Sequence, residues 1–433
     1  MLRKVATFSL RGSDLKIVKQ KMLNWANQFS IFCFLDNNGY KNQYSRFECL
    51  LGVNPVSFVE GEDAGLLNNI YNWHQQDKDW LLGHFSYDFK NALEPRLSSK
   101  HTNKIGFKPA SFFCPDVVCY IKADSTALVV ESLNADPEEI WQQITGISLE
   151  PEMPLPKIRF KLNVSKDKYL DTVNQLREHI AAGDCYEINF CSEGFSENQR
   201  IDPLSVFIRL NDVAPAPFAA FYRQSDQYLI CASPERYLYK HESKLVSQPI
   251  KGTAKRSSDK GVDEANKAFL KSSKKEQAEN VMIVDLVRND LARSCEVKSV
   301  RVEELCGIYS FPQVHQMIST VSGTLVPGNP FTNAIKYSFP MGSMTGAPKI
   351  KVMELIEQYE ETARGLYSGC VGYIAPGSDF DFNVIIRSLF YNARDKYLSY
   401  QTGGAITFDS DPTLEWGEMR LKALAMEKIF SGE

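Results

Sequence analysis

Hydrophobic positions fall into two kinds of pattern along the chain. Over about the first 150 residues, short aromatic-rich apolar stretches at 31–35, 46–53, 80–89 and 117–121 are separated by turn-forming residues. Such stretches predict strands. Asp36-Asn37-Asn38-Gly39 predicts a turn between the first two, because Asn and Gly tolerate the left-handed backbone of a tight connection. The segments Tyr44-Ser45-Arg46-Phe47 and Gly83-His84-Phe85-Ser86-Tyr87-Asp88 are rich in aromatic residues, for which core packing is the plain reading. Pro151, Pro154 and Pro156 then crowd residues 150–157, which predicts an extended connector and a boundary between a region 1–150 and a domain 160–431.

Beyond the connector the helical period appears. Ser165 is a capping residue for a helix whose apolar positions are Tyr169, Val173, Leu176 and Ile180, with Gly183 as its stop. Strands are predicted near 188–191, 219–222, 228–232 and 237–240, with short connections that suit antiparallel pairing. Further helices are predicted over 276–293 and opening at Pro348 and Pro412, since proline is well placed in a first helical turn. Helices in ones and twos among runs of strands predict an α+β fold.

Composition narrows the class. With 433 residues, 43% of them hydrophobic, the chain can bury a large core, in roughly two to three domains on length alone. Its 49 basic and 53 acidic residues are well mixed and leave a net charge of −4, so no nucleic-acid footprint stands out. The ten cysteines form no Cys-x-x-Cys pair, which argues against a zinc or redox site and for reduced thiols in a cytosol. No signal-like segment opens the sequence and no run of ~18 apolar residues interrupts it, so a cytoplasmic protein without a membrane span is expected.

The chemistry centres on Pro249-Ile250-Lys251-Gly252-Thr253, which reads as a strand end that turns sharply with Lys251 at the tip. Desolvation there, with Lys255 and Arg256 near in sequence, would favour a neutral, nucleophilic amine; a surface-turn lysine is the plain alternative. Ser233-Pro234-Glu235 precedes it by a hairpin's length, which would bring a proton-transferring carboxyl beside the amine. Glu276 with Glu279, and Glu415 with Glu418, place two pairs of like charges on two helix faces. Converging, the four would form a hard-oxygen site suited to magnesium; separately, acids early in a helix simply complement its dipole. Lys422 shares a face with Glu418, where it could pair with that glutamate or meet a substrate carboxylate. Residues 342–349 join a glycine-rich turn to a helix start, an arrangement that binds anions, without the order of a nucleotide loop.

Lys251 in its Pro-Ile-Lys-Gly-Thr setting closely resembles a feature of the chorismate-utilising enzymes. So do the run 278–291 with Glu279 and Asp290, the helix start Gly346-Ala347-Pro348-Lys349, residues 367–373, Ile386-Arg387 and Asp409-Ser410-Asp411-Pro412. The likeness covers about residues 160 to 430, and the N-terminal aromatic segments are similar to those of the amine-adding members. It implies two packed antiparallel β-sheets flanked by helices. Lysine in this motif resembles the aminodeoxychorismate-forming branch, whereas anthranilate-forming members carry alanine. The implied reaction has Lys251 attack C2 of chorismate as the C4 hydroxyl leaves, after which ammonia adds at C4 and expels the lysine. The resemblance further implies that Glu235 manages the departing hydroxyl's proton. Glu279 and Glu418 would hold Mg2+ directly and Glu276 and Glu415 through water. Tyr367, Arg387, Lys422 and the backbone of Gly252 and Thr253 would grip the substrate carboxylates. Gln316, beside His315, stands where a histidine is usual, and Ala405 where a glycine is usual. Isochorismate-forming relatives carry a water-activating lysine at the position of Glu187. The implied partner is a separate glutamine amidotransferase that supplies ammonia, because no cysteine here has the glycine-rich setting of a glutaminase nucleophile.

Overall fold

The computed structural model describes residues 2–149, 154–311 and 314–431. Pro151 of the connector lies outside the described residues, and 154–160 run without regular structure. Every strand ladder is antiparallel. Among the described residues no helix is long and apolar enough to cross a membrane.

The ladders form two runs that meet at the long strand Ala110–Lys122. One passes through Phe47–Gly61, Ile31–Asp36, Phe218–Gln224, Gln227–Ser233, Ser388–Asn392 and Tyr397–Ile406 to Glu187–Ser196. The other passes through Leu81–Phe85, Cys370–Ile374, Phe380–Asn383, Arg236–His241 and Lys244–Gln248 to Val314–Thr324, which carries Ile250–Lys255 and Arg301–Ser310. The fork falls at Pro115. Residues 110–113 pair with Leu81–Phe85 and residues 117–121 with Ala127–Ser132, and a proline without an N–H suits the point where one partner gives way to the other.

The period of two decides which core each side chain enters. Cys33, Tyr222 and Cys231 point between the two runs, where they join Phe85, Leu238, Phe380 and Phe382. Their chain neighbours Phe32, Phe34, Phe221 and Ile230 point outward and are covered by Met22, Leu23 and Trp25 of the helix Leu15–Ala26 and by Leu204 and Phe207 of Pro203–Val213. A third cluster joins the helices Lys166–Ala181 and Lys349–Tyr359 to the strand Glu187–Ser196 through Tyr169, Val173, Leu176, Val352, Ile356, Ile188 and Phe190.

Local signals mostly act as read. Ser165 accepts the Lys168 N–H at its helix start, and Asp411 accepts those of Thr413 and Leu414 ahead of Pro412. Asn38 and Gly39 take φ of +53° and +73° in the predicted turn. Two expectations are corrected. Residues 80–89 do not form one strand: Leu81–Phe85 ends where Tyr87 N–H donates to Gly365 O, and Tyr87–Phe89 is a short 3-10 turn. Lys251 is not at a turn tip but inside the strand Ile250–Lys255, because that segment completes the ladder with Val314–Thr324.

Arg364 ties the site-bearing elements together. Its buried guanidinium donates to Glu360 at 2.6 and 2.9 Å, to Met344 O at 2.7 Å and to Asn189 O at 2.7 Å, while lying over the Tyr87 ring. Glu360 also accepts the Cys191 N–H at 2.9 Å. Removing one partner of such a pair strands the other's charge, so Arg364→Ala should lose about 3–5 kcal/mol. The double variant Arg364→Met/Glu360→Leu should lose clearly less. Urea unfolding midpoints compare them, and equal losses would show that the stranded charge is not the cause.

Candidate active site

Lys251, Glu235, the four glutamates and the residues expected to grip substrate all line one cavity of about 1080 Å3. The strand Ile250–Lys255 contributes Lys251, Gly252 and Thr253, and Val314–Thr324 contributes Gln316. The helix Lys274–Ala292 presents Glu276 and Glu279, and Pro412–Lys428 presents Glu415, Glu418 and Lys422. Ala405 lies on Tyr397–Ile406, and Glu235, Tyr367 and Arg387 come from the ends of neighbouring strands. Gly252 has φ +90°, and a Cβ there would stand 2.9 Å from Glu276 Oε2, so only glycine lets this strand pass the helix.

The Lys251 side chain is 10% exposed, and its Nζ donates to Glu187, which is fully buried. Burial lowers the lysine's pKa, but Glu187 and then Glu279 outweigh it, and the net shift is upward. The expected neutral amine is therefore corrected: at rest Lys251 is an ammonium. Proximity in sequence misled, since Arg256 is occupied by Asp263 at 2.8 Å and carboxylates, not cations, surround Lys251.

Glu235 is brought close to Lys251, as read. It is buried, accepts from Ser343 Oγ at 2.7 Å, and has its pKa pushed up to about 7 by burial, although Ser343, the Ile250 N–H and Lys251 pull the other way. Near neutrality it can both give and take a proton. Gln316 is buried with Oε1 unpartnered among the described residues, whereas His315 is engaged by Asp263 at 3.1 Å and Ser310 at 2.8 Å and does not line the cavity. The Arg387 guanidinium donates to Lys422 O at 3.1 Å, and burial lowers its pKa. Lys422 pairs with Glu418 at 2.6 Å and donates to Gly403 O at 2.8 Å. Of the turn at 342–349, Ser343 and Met344 line the cavity, but Gly346 and Ala347 pair with Ile188 and Glu187, and Lys349 pairs with Asp290 at 2.6 Å. The expected anion cradle at that helix start does not face the cavity.

The four glutamates supply only carboxylate oxygens, the donors a hard divalent cation prefers. Glu279 has its pKa pushed up to about 7 by burial, and its Oε1 has no hydrogen-bond partner. Burial also raises Glu276 and Glu415, whereas Lys422 holds Glu418 down. Lys275 lies 3.9 Å from Glu279 and 3.8 Å from Glu415. Among the described residues no three acids are gathered closely enough to hold an ion as they stand. The donor chemistry fits a divalent cation, and the Lys275 ammonium lies between two of its candidate ligands. The sequence reading missed Asn189, Ser343 and a role for Glu187. The signal was present: Glu187, Asn189 and Glu193 fall on one face of the strand Glu187–Ser196, with Ile188 and Phe190 on the other, and all three are buried.

A family model of chorismate binding enzymes matches residues 53–428. Aminodeoxychorismate synthase component 1 of Bacillus subtilis is 31% identical over 363 residues, which cover 80% of this chain and 76% of that protein. A probable chloroplastic aminodeoxychorismate synthase of Oryza sativa subsp. japonica is 39% identical over 289 residues, covering 66% of this chain and 32% of its own length. The chain thus spans about a third of that longer relative. The crystal structure of anthranilate synthase component I from Streptococcus pneumoniae has the same fold, with a TM-score of 0.77 at 24% identity over 90% of this chain and 93% of that one.

The raised Glu235 carboxyl has a stability consequence. Its folded pKa of about 7 exceeds the ordinary 4.5, so the folded state binds the proton more tightly and stability is lost as pH rises from 4.5 through 7. Glu235→Gln should therefore be more stable than the parent at pH 8 by about 1–3 kcal/mol, and nearly equal to it at pH 4.5. Denaturant midpoints at the two pH values check the sign.

Proposed function

The chain belongs to the chorismate-binding enzyme family, and on that premise we propose that it converts chorismate and ammonia to 4-amino-4-deoxychorismate, the aminodeoxychorismate synthase reaction that leads to 4-aminobenzoate and folate. The observation that carries this reading is Lys251 itself, a primary amine in the cavity wall with the raised carboxyl of Glu235 nearby. Adding ammonia directly at C2, as in anthranilate formation, needs no such amine. Replacing the C4 hydroxyl by nitrogen is easier as two displacements through a temporary nucleophile at C2. In that sequence Lys251 attacks C2, Glu235 protonates the departing hydroxyl, and ammonia at C4 expels the lysine. Arg387 and Lys422 suit the substrate carboxylates as a forked and a point-like cation, and the Gly252 and Thr253 backbone lines the same wall.

The cofactor in this reading is Mg2+, held by Glu279 and Glu418, with Glu276 and Glu415 through water. When bound, it would neutralise anionic charge on the substrate beside these acids. The nitrogen source in this reading is a separate glutamine amidotransferase subunit, since no cysteine of the sequence has the glycine-rich setting of a glutaminase nucleophile. Ten free thiols fit a reducing compartment, cytosolic here or plastidic as the name of the rice relative has it.

The direct test is turnover of chorismate with ammonium salts and Mg2+. The expected outcome is 4-amino-4-deoxychorismate, with no activity when glutamine replaces ammonium and the purified chain is alone. Fluorescent anthranilate as the main product would overturn the assignment, and efficient use of glutamine would remove the partner. A second test concerns the metal. Glu279→Gln and Glu418→Gln should each lower Mg2+-dependent turnover at least about 100-fold while the protein keeps a cooperative unfolding transition. Full activity of the parent in EDTA would exclude the magnesium role.

A further inference from the structure

Resting on that reading of Lys251 as nucleophile, we propose that Glu187 is the base that frees the lysine for attack and later returns its proton. The geometry is specific. Glu187 opens the strand Glu187–Ser196, is fully buried, and accepts the Lys251 Nζ–H through Oε1. Its Oε2 is also buried and, among the described residues, has no hydrogen-bond partner, so the carboxylate has lone pairs free to receive a proton. Lys251 rests as an ammonium and cannot attack carbon in that state, so a nearby acceptor must remove a proton first.

The other groups facing the amine are less suited. Glu279 and Glu235 interact with it only across space, and each has a separate task in the cavity. Glu276 and Glu418 also act on the amine only across space, and Lys275 bears on Glu279 and Glu415 rather than on it. Among the described residues only Glu187 is hydrogen-bonded to Nζ, so the proton moves along an existing bond without rearrangement.

The step balances. Lys251 ammonium and Glu187 carboxylate become a neutral amine and a neutral acid. The amine lone pair forms the bond to C2, the C4–O bond breaks, and the hydroxide takes the Glu235 proton and leaves as water. When ammonia bonds to C4, the C2–N bond breaks and its electron pair returns to Lys251, which regains the Glu187 proton. The new C4 ammonium gives one proton to Glu235, which restores both acids to their starting states. Because the pair shares one proton and cycles within the cavity, attack needs no proton exchange with solvent.

The experiment uses the whole chain with chorismate and Mg2+ but no ammonia, quenched at intervals and read by mass spectrometry of the peptide that contains Lys251. In the wild-type protein, formation of the chorismate-minus-water adduct should fall between pH 7 and 9, because Glu235, pushed up to about 7, loses the proton it gives to the departing hydroxyl. Glu187→Gln keeps a hydrogen-bond acceptor but cannot take the proton, so at pH 7 adduct formation should slow by about 100-fold. Glu279 and Glu235 still hold the ammonium in that variant, so its rate relative to wild type should rise steeply with pH as the amine loses its proton to water. Glu187→Asp, which keeps a carboxylate, should retain the wild-type profile at a reduced rate. A Glu187→Gln protein with the wild-type rate and profile would overturn the assignment, as would a Glu187→Asp rate that rises steeply with pH relative to wild type. Absence of any adduct in the wild-type protein would instead overturn the covalent reading itself, and the role of Glu187 with it.

Discussion

The site depends on the buried guanidinium of Arg364. Its donors fix two backbone carbonyls, Asn189 O on one strand and Met344 O on a separate turn, and a carboxylate that in turn fixes the Cys191 N–H. Besides those bonds, the strand carrying Glu187 and the turn carrying Ser343 are joined by apolar packing, by the short ladder at Gly346 and Ala347, and by Asn189, which donates to Ser343 O at 3.2 Å and to Thr345 O at 2.8 Å. Apolar contacts are tolerant of small sliding, whereas a forked, charge-assisted set of hydrogen bonds is not. Ser343 orients Glu235, and Glu187 orients Lys251, so one positive charge far from substrate sets the relative position of nucleophile and acid. Burying that charge is costly, and only the complete set of partners makes it tolerable.

The cavity is an electrostatic compromise rather than a stability optimum. Four glutamates from two helices enter it, and burial pushes most of them up in pKa, which means the folded state resists their ionisation. Lys251, Lys275 and Lys422 supply the compensation, each within reach of a different subset. Carboxylates held in this way present the oxygen donors that a hard divalent cation prefers. Functional sites commonly store cost in this way.

What the sequence revealed and concealed follows from range. Spacing three apart on a helix puts Glu276 with Glu279 and Glu415 with Glu418 on common faces, and the structure places those faces in one cavity. Turn and capping signals at Asn38, Ser165 and Pro412 are decided by the residues themselves and held. The protonation of Lys251 was misjudged because its deciding partner lies 64 residues away, and the cations beside it in sequence point elsewhere. The helix start at Lys349 looked like an anion cradle until the ladder with Ile188 and Glu187 claimed its glycine. His315 and Gln316 could not be told apart by type, but opposite faces of a strand give one to Asp263 and the other to the cavity.

Strand register explains how Lys251 reaches the cavity at all. Ile250 faces Ile318 and Thr253 faces Gln316, so three steps on one strand match two on the other. The extra residue is a bulge, which bends the strand and re-aims the side chains around it. Gly252, with φ +90° and Glu276 against its missing Cβ, is the residue that makes this possible. In regular pairing, residue 252 would face Gln316 and the alternation of faces would run unbroken through Lys251. With the bulge, Lys251, Gly252, Thr253 and Gln316 all line the same wall. The lysine and the glycine of the motif are therefore one device: the first supplies the amine, and the second supplies the backbone shape that delivers it to Glu187 and the cavity.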